Sequence, residues 1–231
     1  MVPSTIEAAT SLSAFVYLAD EVMEGATHSF DSRVLLFFRN PQDLSDPIGP
    51  RWFEEVMRDF TALGGTAVLT LLTVFVTLFL ILAGKRRSAA LVAASVALGT
   101  LLSTVLKLAF DRPRPDLVPH GMEVYTLSFP SSHAMMSALV YLTLGALFAR
   151  TQASVRVRVY LILCAILLTF LIGVSRVYLG VHWPTDVLAG WAVGSCWALM
   201  SWLLARWLQR KGPVEPPGAT NEKGDAAAPP S

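Results

Sequence analysis

Charge is what this sequence has least of: 15% of its 231 residues are Asp, Glu, Lys or Arg, against about 25% in a soluble domain. With 54% of the residues hydrophobic, that scarcity excludes an ordinary water-soluble globule and makes the bilayer the expected solvent. Cysteine is nearly missing as well. Cys164 and Cys196 each sit inside an apolar run, with no CxxC pair and no disulfide framework, so both read as buried packing residues. The first residues lack the basic stretch and small-residue cleavage site of a signal peptide. There is no internal repeat, and no cluster of carboxylates suited to Mg²⁺. The net charge of +1 says little about partners, and nucleic acid is not expected among them.

Long apolar runs are what the chain has instead. Stretches from Thr61 to Ala83, Ser88 to Phe110, His133 to Ala149, Val157 to Val174 and Val187 to Leu208 are close to the ~20 residues of helix that cross a bilayer core. The third and fourth are short and need an extra turn at their ends. Lipid offers no partner for backbone N–H and C=O groups, so all five should be α-helices. The expected fold class is all-α, a polytopic transmembrane helical bundle. Ile6 to Ala19 is a sixth candidate span, or else a helix lying in the interface.

Three units follow: an N-terminal segment over 1–60, a transmembrane core over 61–211 and a tail over 212–231. From Glu21 to Asp59 the chain is polar and turn-rich, with Asn40-Pro41, Asp46-Pro47 and Gly49-Pro50, then an amphipathic helix over Arg51 to Phe60. The tail of Pro, Gly, Ala and charge cannot bury a core and is expected to be disordered. Basic residues set the orientation. Lys85-Arg86-Arg87, Arg150 with Arg156 and Arg158, and Arg206 with Arg210 and Lys211 fall on one side if the five helices alternate, and that side is then cytoplasmic.

Three polar clusters lie at helix ends on the opposite face. Lys107 ends an apolar helix just before Asp111, Arg112, Arg114 and Asp116, with Pro113 and Pro115 turning the chain out of helix. Snorkelling to the interface is the plain reading of such a Lys. Pro130-Ser131-Ser132-His133 precedes the next helix. Ordinary N-capping explains the serines, but it leaves His133 at a helix start where an anion would bind. Ser175-Arg176 is followed by His182-Trp183-Pro184-Thr185-Asp186. Pro184 suits a first helical turn, which places Asp186 about one turn after His182. The carboxylate can then accept from one imidazole nitrogen and leave the other as a nucleophile. An interfacial His-Trp belt with an acidic cap is the alternative. Taken together, two His, one Asp, one Lys and several Arg on one face suit phosphoryl transfer, which needs charge neutralised around phosphorus. One His can attack while the other protonates the leaving oxygen, and no metal or other cofactor is required.

The order K-x6-R-P at Lys107 to Pro115, P-S-x-H at Pro130 to His133 and S-R-x5-H-x3-D at Ser175 to Asp186 resembles the tripartite signature of the type 2 phosphatidic acid phosphatase family. It does so most closely in that family's bacterial, phosphatidylglycerophosphatase-like branch. The resemblance covers about eighty residues. It implies a membrane helical bundle with metal-independent lipid phosphatase or diphosphatase activity. It also implies roles: His182 as the nucleophile forming a phosphohistidine, Asp186 orienting it, and His133 as general acid. Lys107, Arg114 and Arg176 would hold the phosphate, helped by Ser131 and Ser132. The family usually has Gly where this chain has Ser132, which matters if that position needs a positive φ.

The expected partner is a lipid phosphate substrate among membrane lipids: phosphatidic acid, phosphatidylglycerol phosphate or polyprenyl pyrophosphate. Asp111, Arg112 and Glu123 are candidates for headgroup contact. The expected location is an inner membrane with the site on the non-cytoplasmic face. The alternatives are a non-catalytic phospholipid-binding protein of the same fold, and a transporter. The presence of both His and Asp186 argues against the first. The clustering of charge at one interface, away from the midplane, argues against the second.

Overall fold

The computed structural model describes residues 2–119 and 126–210. In chain order these form α1 (Val2–Met23), α2 (His28–Phe37), β1 (Arg39–Asn40), β2 (Asp43–Pro47), α3 (Arg51–Leu63), α4 (Thr66–Leu82), α5 (Arg86–Phe110), α6 (Ser132–Arg150), α7 (Val155–Tyr178) and α8 (Pro184–Arg210). The tail over 212–231 and Glu123 lie outside the described residues. Helices α5, α6, α7 and α8 are each long and apolar enough to cross a bilayer. The two short apolar runs gain the turns they needed, α6 reaching Arg150 and α7 reaching Tyr178.

The span expected from Thr61 is in fact two helices. α3 ends at Leu63, α4 begins at Thr66, and the pair is bent by 47°, counting as a fifth crossing if taken as one broken span. Gly64 and Gly65 make the break, with Gly65 in extended backbone at φ −69° and ψ 149°. Helix α1 is one continuous element of 22 residues. It is long enough to cross but is not among the helices that are also apolar enough. Ala8, Phe15, Ala19 and Val22 are buried, and Phe15, Ala19 and Val22 share a cluster with Ala189 and Val193 of α8.

Helix α6 is the centre of the bundle, packed along α7 on one side and α8 on the other. The contact with α8 is close enough to exclude side chains. A Cβ on Gly194 would lie 2.3 Å from the carbonyl oxygen of Met135, and one on Gly190 2.7 Å from that of Ser131. Because the obstacle is backbone, it cannot swing away. Gly194→Ala is therefore expected to cost about 1–3 kcal/mol of stability, read as a lower melting temperature in detergent. An unchanged melt would show that α6 and α8 can part at this point without penalty. On the outer surface, Leu71, Phe75 and Phe79 of α4, Leu98 and Leu101 of α5, and Leu163, Leu167 and Phe170 of α7 are exposed, as lipid-facing residues should be.

The polar segment before α3 is more ordered than its composition suggested. Besides the expected amphipathic α3, it holds α2 and an antiparallel hairpin of β1 with β2. This cap docks on the end of α7. Buried Arg39 donates to the carbonyl of Tyr178 at 2.9 Å, and the Tyr178 hydroxyl donates to the carbonyl of Ile48 at 2.9 Å. At the other end of the bundle Lys85 and Arg150 border a common groove between α5, α6 and α8.

Candidate active site

Each motif sits where a helix stops or starts. Lys107 is in the last turn of α5, which closes with Asp111 in the left-handed region at φ 43°, a conformation Asp tolerates better than most residues. Ser131 caps α6, and Ser132 and His133 are its first two residues. Arg176 is in the last turn of α7 and Asp186 in the first turn of α8. Between those two helices, His182 is 1% exposed.

The hydrogen bonds fix the His182 ring. Nδ1 lies 3.3 Å from Asp186 Oδ2, and Nε2 lies 3.2 Å from Arg114 Nη1. Burial, followed by the charges of Arg176, Arg114 and Lys107, holds the imidazole well below its usual pKa. A neutral ring that donates from Nδ1 to the carboxylate and accepts at Nε2 satisfies both contacts. Asp186 is held in turn. Its Oδ2 accepts from the Trp183 amide at 2.9 Å and from the Ser128 hydroxyl, and its Oδ1 accepts from Arg112 at 2.6 Å. Arg114 is pinned by the carbonyls of Thr126 and Val181, each at 2.6 Å. Lys107 Nζ donates to the carbonyl of Leu127, and Arg176 donates to Thr61 Oγ1 at 2.9 Å.

Lys107, Arg114, Ser132, His133, Arg176 and His182 line one cavity of ≈670 Å³. Among the described residues, no Asp or Glu lines it. At one end it presents cations and imidazoles. At the other it runs between α4 and α5 past Leu69, Val96, Leu108 and Met136. A dianionic group is the natural occupant of the first end, and an apolar chain of the second.

Some expected contacts fall elsewhere. Ser131 is fully buried and serves as the cap of α6, accepting from the Ala134 amide at 3.5 Å, and it is not among the residues lining the cavity. Ser132 does line it, with its hydroxyl 2.8 Å from that of Ser103. It is an ordinary first helical residue, and Asp111 is the only non-glycine with positive φ among the described residues, so Ser in place of Gly costs no strain there. Arg112 is largely buried by its ion pairs. It turns inward between two carboxylates, Asp186 at 2.6 Å and Asp31 at 2.7 Å. Asp111 is exposed and lies outside the cavity lining.

Sequence reasoning missed Asp31, Ser128 and Thr185. Asp31 had one detectable signal. It lies a turn before Leu35 on the buried face of α2, a place where an unpaired acid is not tolerated.

The family model of the PAP2 superfamily matches residues 88–210. The chain belongs to the PAP2 superfamily. Among relatives of this PAP2 chain is phosphatidylglycerophosphatase B of Bacillus subtilis (strain 168), 33% identical over 186 residues, which are 78% of this chain and 85% of the relative. A lipid A 1-phosphatase of Rhizobium etli is 38% identical over 117 residues, 46% of either protein. The crystal structure of a transmembrane PAP2-type phosphatidylglycerolphosphate phosphatase from Bacillus subtilis superimposes with a TM-score of 0.77. It is 27% identical and covers 88% of this chain and 98% of that one. The PAP2 match begins in α5 and so leaves out α1 to α4, including Asp31 and Thr61.

Proposed function

We propose that this chain hydrolyses a membrane lipid phosphate or lipid pyrophosphate by transferring the phosphoryl group to Nε2 of His182. It is a lipid phosphatase, and one observation carries the reading: a cavity lined by cations, and by no carboxylate among the described residues, has His182 in its wall and opens along apolar residues between two helices. In the first step Nε2 forms a bond to phosphorus while the ester P–O bond breaks. His133, as the imidazolium paired with the bound phosphate dianion, donates its proton to the departing lipid oxygen and is left neutral. Asp186 supports the positive charge that develops on the His182 ring. Lys107, Arg114 and Arg176 hold the three non-bridging oxygens, with Ser132 beside them. In the second step water attacks phosphorus, gives its proton to His133 and releases orthophosphate with neutral His182. No step needs a metal.

Phosphatidic acid, phosphatidylglycerol phosphate and polyprenyl pyrophosphate all present a phosphate on a chain that can stay between α4 and α5. Asp111 and Glu123 remain candidates for headgroup choice. The site belongs on the non-cytoplasmic face of an inner membrane. Lys85 and Arg150 mark the other end of the bundle, where the positive-inside rule puts the cytoplasm. A binding protein without catalysis would need no second His, and His133 in the same cavity as His182 favours the enzyme.

The test is phosphate release from these three lipids in detergent, with and without EDTA. Release from at least one, unchanged by EDTA, is the expected result. No release from any would overturn the phosphatase reading, and loss of activity in EDTA would overturn the metal-free mechanism.

A further inference from the structure

We propose that Asp31 is a positioning residue for phosphoryl transfer: by sharing Arg112 with Asp186 it keeps the negative charge of Asp186 directed at His182. The inference rests on His182 being the nucleophile. It gives α2, an element outside the segment matched by the family model, a part in the chemistry of the site.

Three observations point the same way. Asp31 is 0% exposed, and a buried carboxylate is stable only when paired and hydrogen-bonded. Both of its oxygens are paired. Oδ2 accepts from Arg112 at 2.7 Å and from Thr185 Oγ1 at 2.7 Å, while Oδ1 accepts from the Thr185 amide at 3.0 Å. Thr185 is the residue before Asp186 and the second residue of α8, so Asp31 supplies an acceptor to a helix start that would otherwise lack one. The second observation is the geometry of Arg112. One branch, Nη1, reaches Asp186 Oδ1 at 2.6 Å. The other, Nη2, reaches Asp31, and the guanidinium carbon lies 5.6 Å from the centre of the Trp183 ring. Arg112 thus holds Oδ1 of Asp186 and leaves Oδ2 turned to His182.

The third is electrostatic. A cation 2.6 Å from Asp186 competes with the His182 ring for that carboxylate, at just the step where the ring becomes positive. Asp31 removes the competition by neutralising the other branch. Around His182 the remaining charged or titratable groups are Lys107 of α5, His133 of α6, Arg176 of α7 and Arg114. All of these are cationic or neutral, so among the described residues that line the cavity or touch the ring, the negative charge aimed at it is that of Asp186, the one Asp31 protects.

The test is kcat and KM against pH for phosphate release from dioleoyl phosphatidate, or from whichever of the three lipids the wild type hydrolyses. Wild type is compared with Asp31→Asn, Arg112→Gln, the double variant and His182→Ala. In wild type the acidic limb of kcat reports protonation of His182 in the complex, which burial and the nearby cations hold below the usual imidazole range. Asp31→Asn should lower kcat about 10- to 100-fold with KM little changed, and move the acidic limb to still lower pH, because an uncompensated Arg112 opposes protonation of His182. Arg112→Gln leaves two carboxylates without their cation and moves the limb upward. The double variant returns it toward wild type. Should Asp31→Asn fail to fold, the comparison of Arg112→Gln with the double variant reads the same coupling. An Asp31→Asn protein with a lower melting temperature but an unmoved limb, or coincident profiles for Arg112→Gln and the double variant, would reduce Asp31 to a tether and overturn the proposal. If the wild type is inactive, or His182→Ala is as active as wild type, the nucleophile assignment itself falls. An active wild type with a dead His182→Ala variant and no effect at Asp31 sinks this inference alone.

Discussion

Replacing His182 by Ala is expected to lower kcat for lipid phosphate hydrolysis by at least about 10⁴-fold, the scale seen when a covalent nucleophile is removed. No phosphorylated enzyme should be recovered after an alkaline quench. The expectation follows from Nε2 of His182, which lies 3.2 Å from Arg114 in the cavity wall while Nδ1 is held by Asp186 at 3.3 Å. His133→Ala should behave differently. If His133 protonates the departing oxygen, its removal costs about 10²- to 10⁴-fold on an alkyl phosphate. It should cost far less on p-nitrophenyl phosphate, whose leaving group needs no proton. Equal losses on both substrates would remove His133 from the acid role, and a phosphoenzyme surviving in His182→Ala would move the nucleophile elsewhere.

The second large effect is expected at Asp186. Asp186→Asn should reduce kcat by roughly 10⁴-fold, as the equivalent change does in Ser-His-Asp triads, where the wrong imidazole tautomer results. Here the cause is visible in the contacts. Oδ2 must accept from His182 Nδ1 at 3.3 Å and from the Trp183 amide at 2.9 Å. An amide nitrogen placed there would turn a donor toward donors, or flip and face Arg112. Inhibition by orthophosphate should survive, since Lys107, Arg114 and Arg176 are untouched. Activity within tenfold of wild type would mean that Asp186 serves only to start α8.

Much of this was legible in the sequence because the chemistry sits at helix ends, and helix ends leave marks. Pro113, Pro115, Pro130 and Pro184 punctuate the apolar runs, so the sequence alone puts the motif residues at helix ends on one face. Four of the five expected spans survive with ends shifted by a few residues. The bend in the fifth escapes hydropathy, which counts Gly64 and Gly65 as compatible with an apolar helix, whereas the close approach of α7 there (a Cβ on Gly64 would lie 2.4 Å from Ile172) sets a joint. Arg112 differs for a related reason. Its place in the loop beside the site suggests headgroup contact, and the docking of α2 brings up the carboxylate that turns it inward. Asp31 and Ser128 belong to no local pattern, since their partners lie 154 and 58 residues away along the chain. Distance along the chain is what a linear reading handles worst.

The Asp31–Thr185 contact also bears on how such chains can be recombined. A fusion that joins residues 88–210 of this protein to the N-terminal part of a relative would keep every motif by which the family is recognised. It would still exchange the carboxylate that lies 2.7 Å from Arg112. The unit of inheritance for this site is therefore longer than the segment that identifies it. Position 31 and position 112 should be transplanted, or varied, as one.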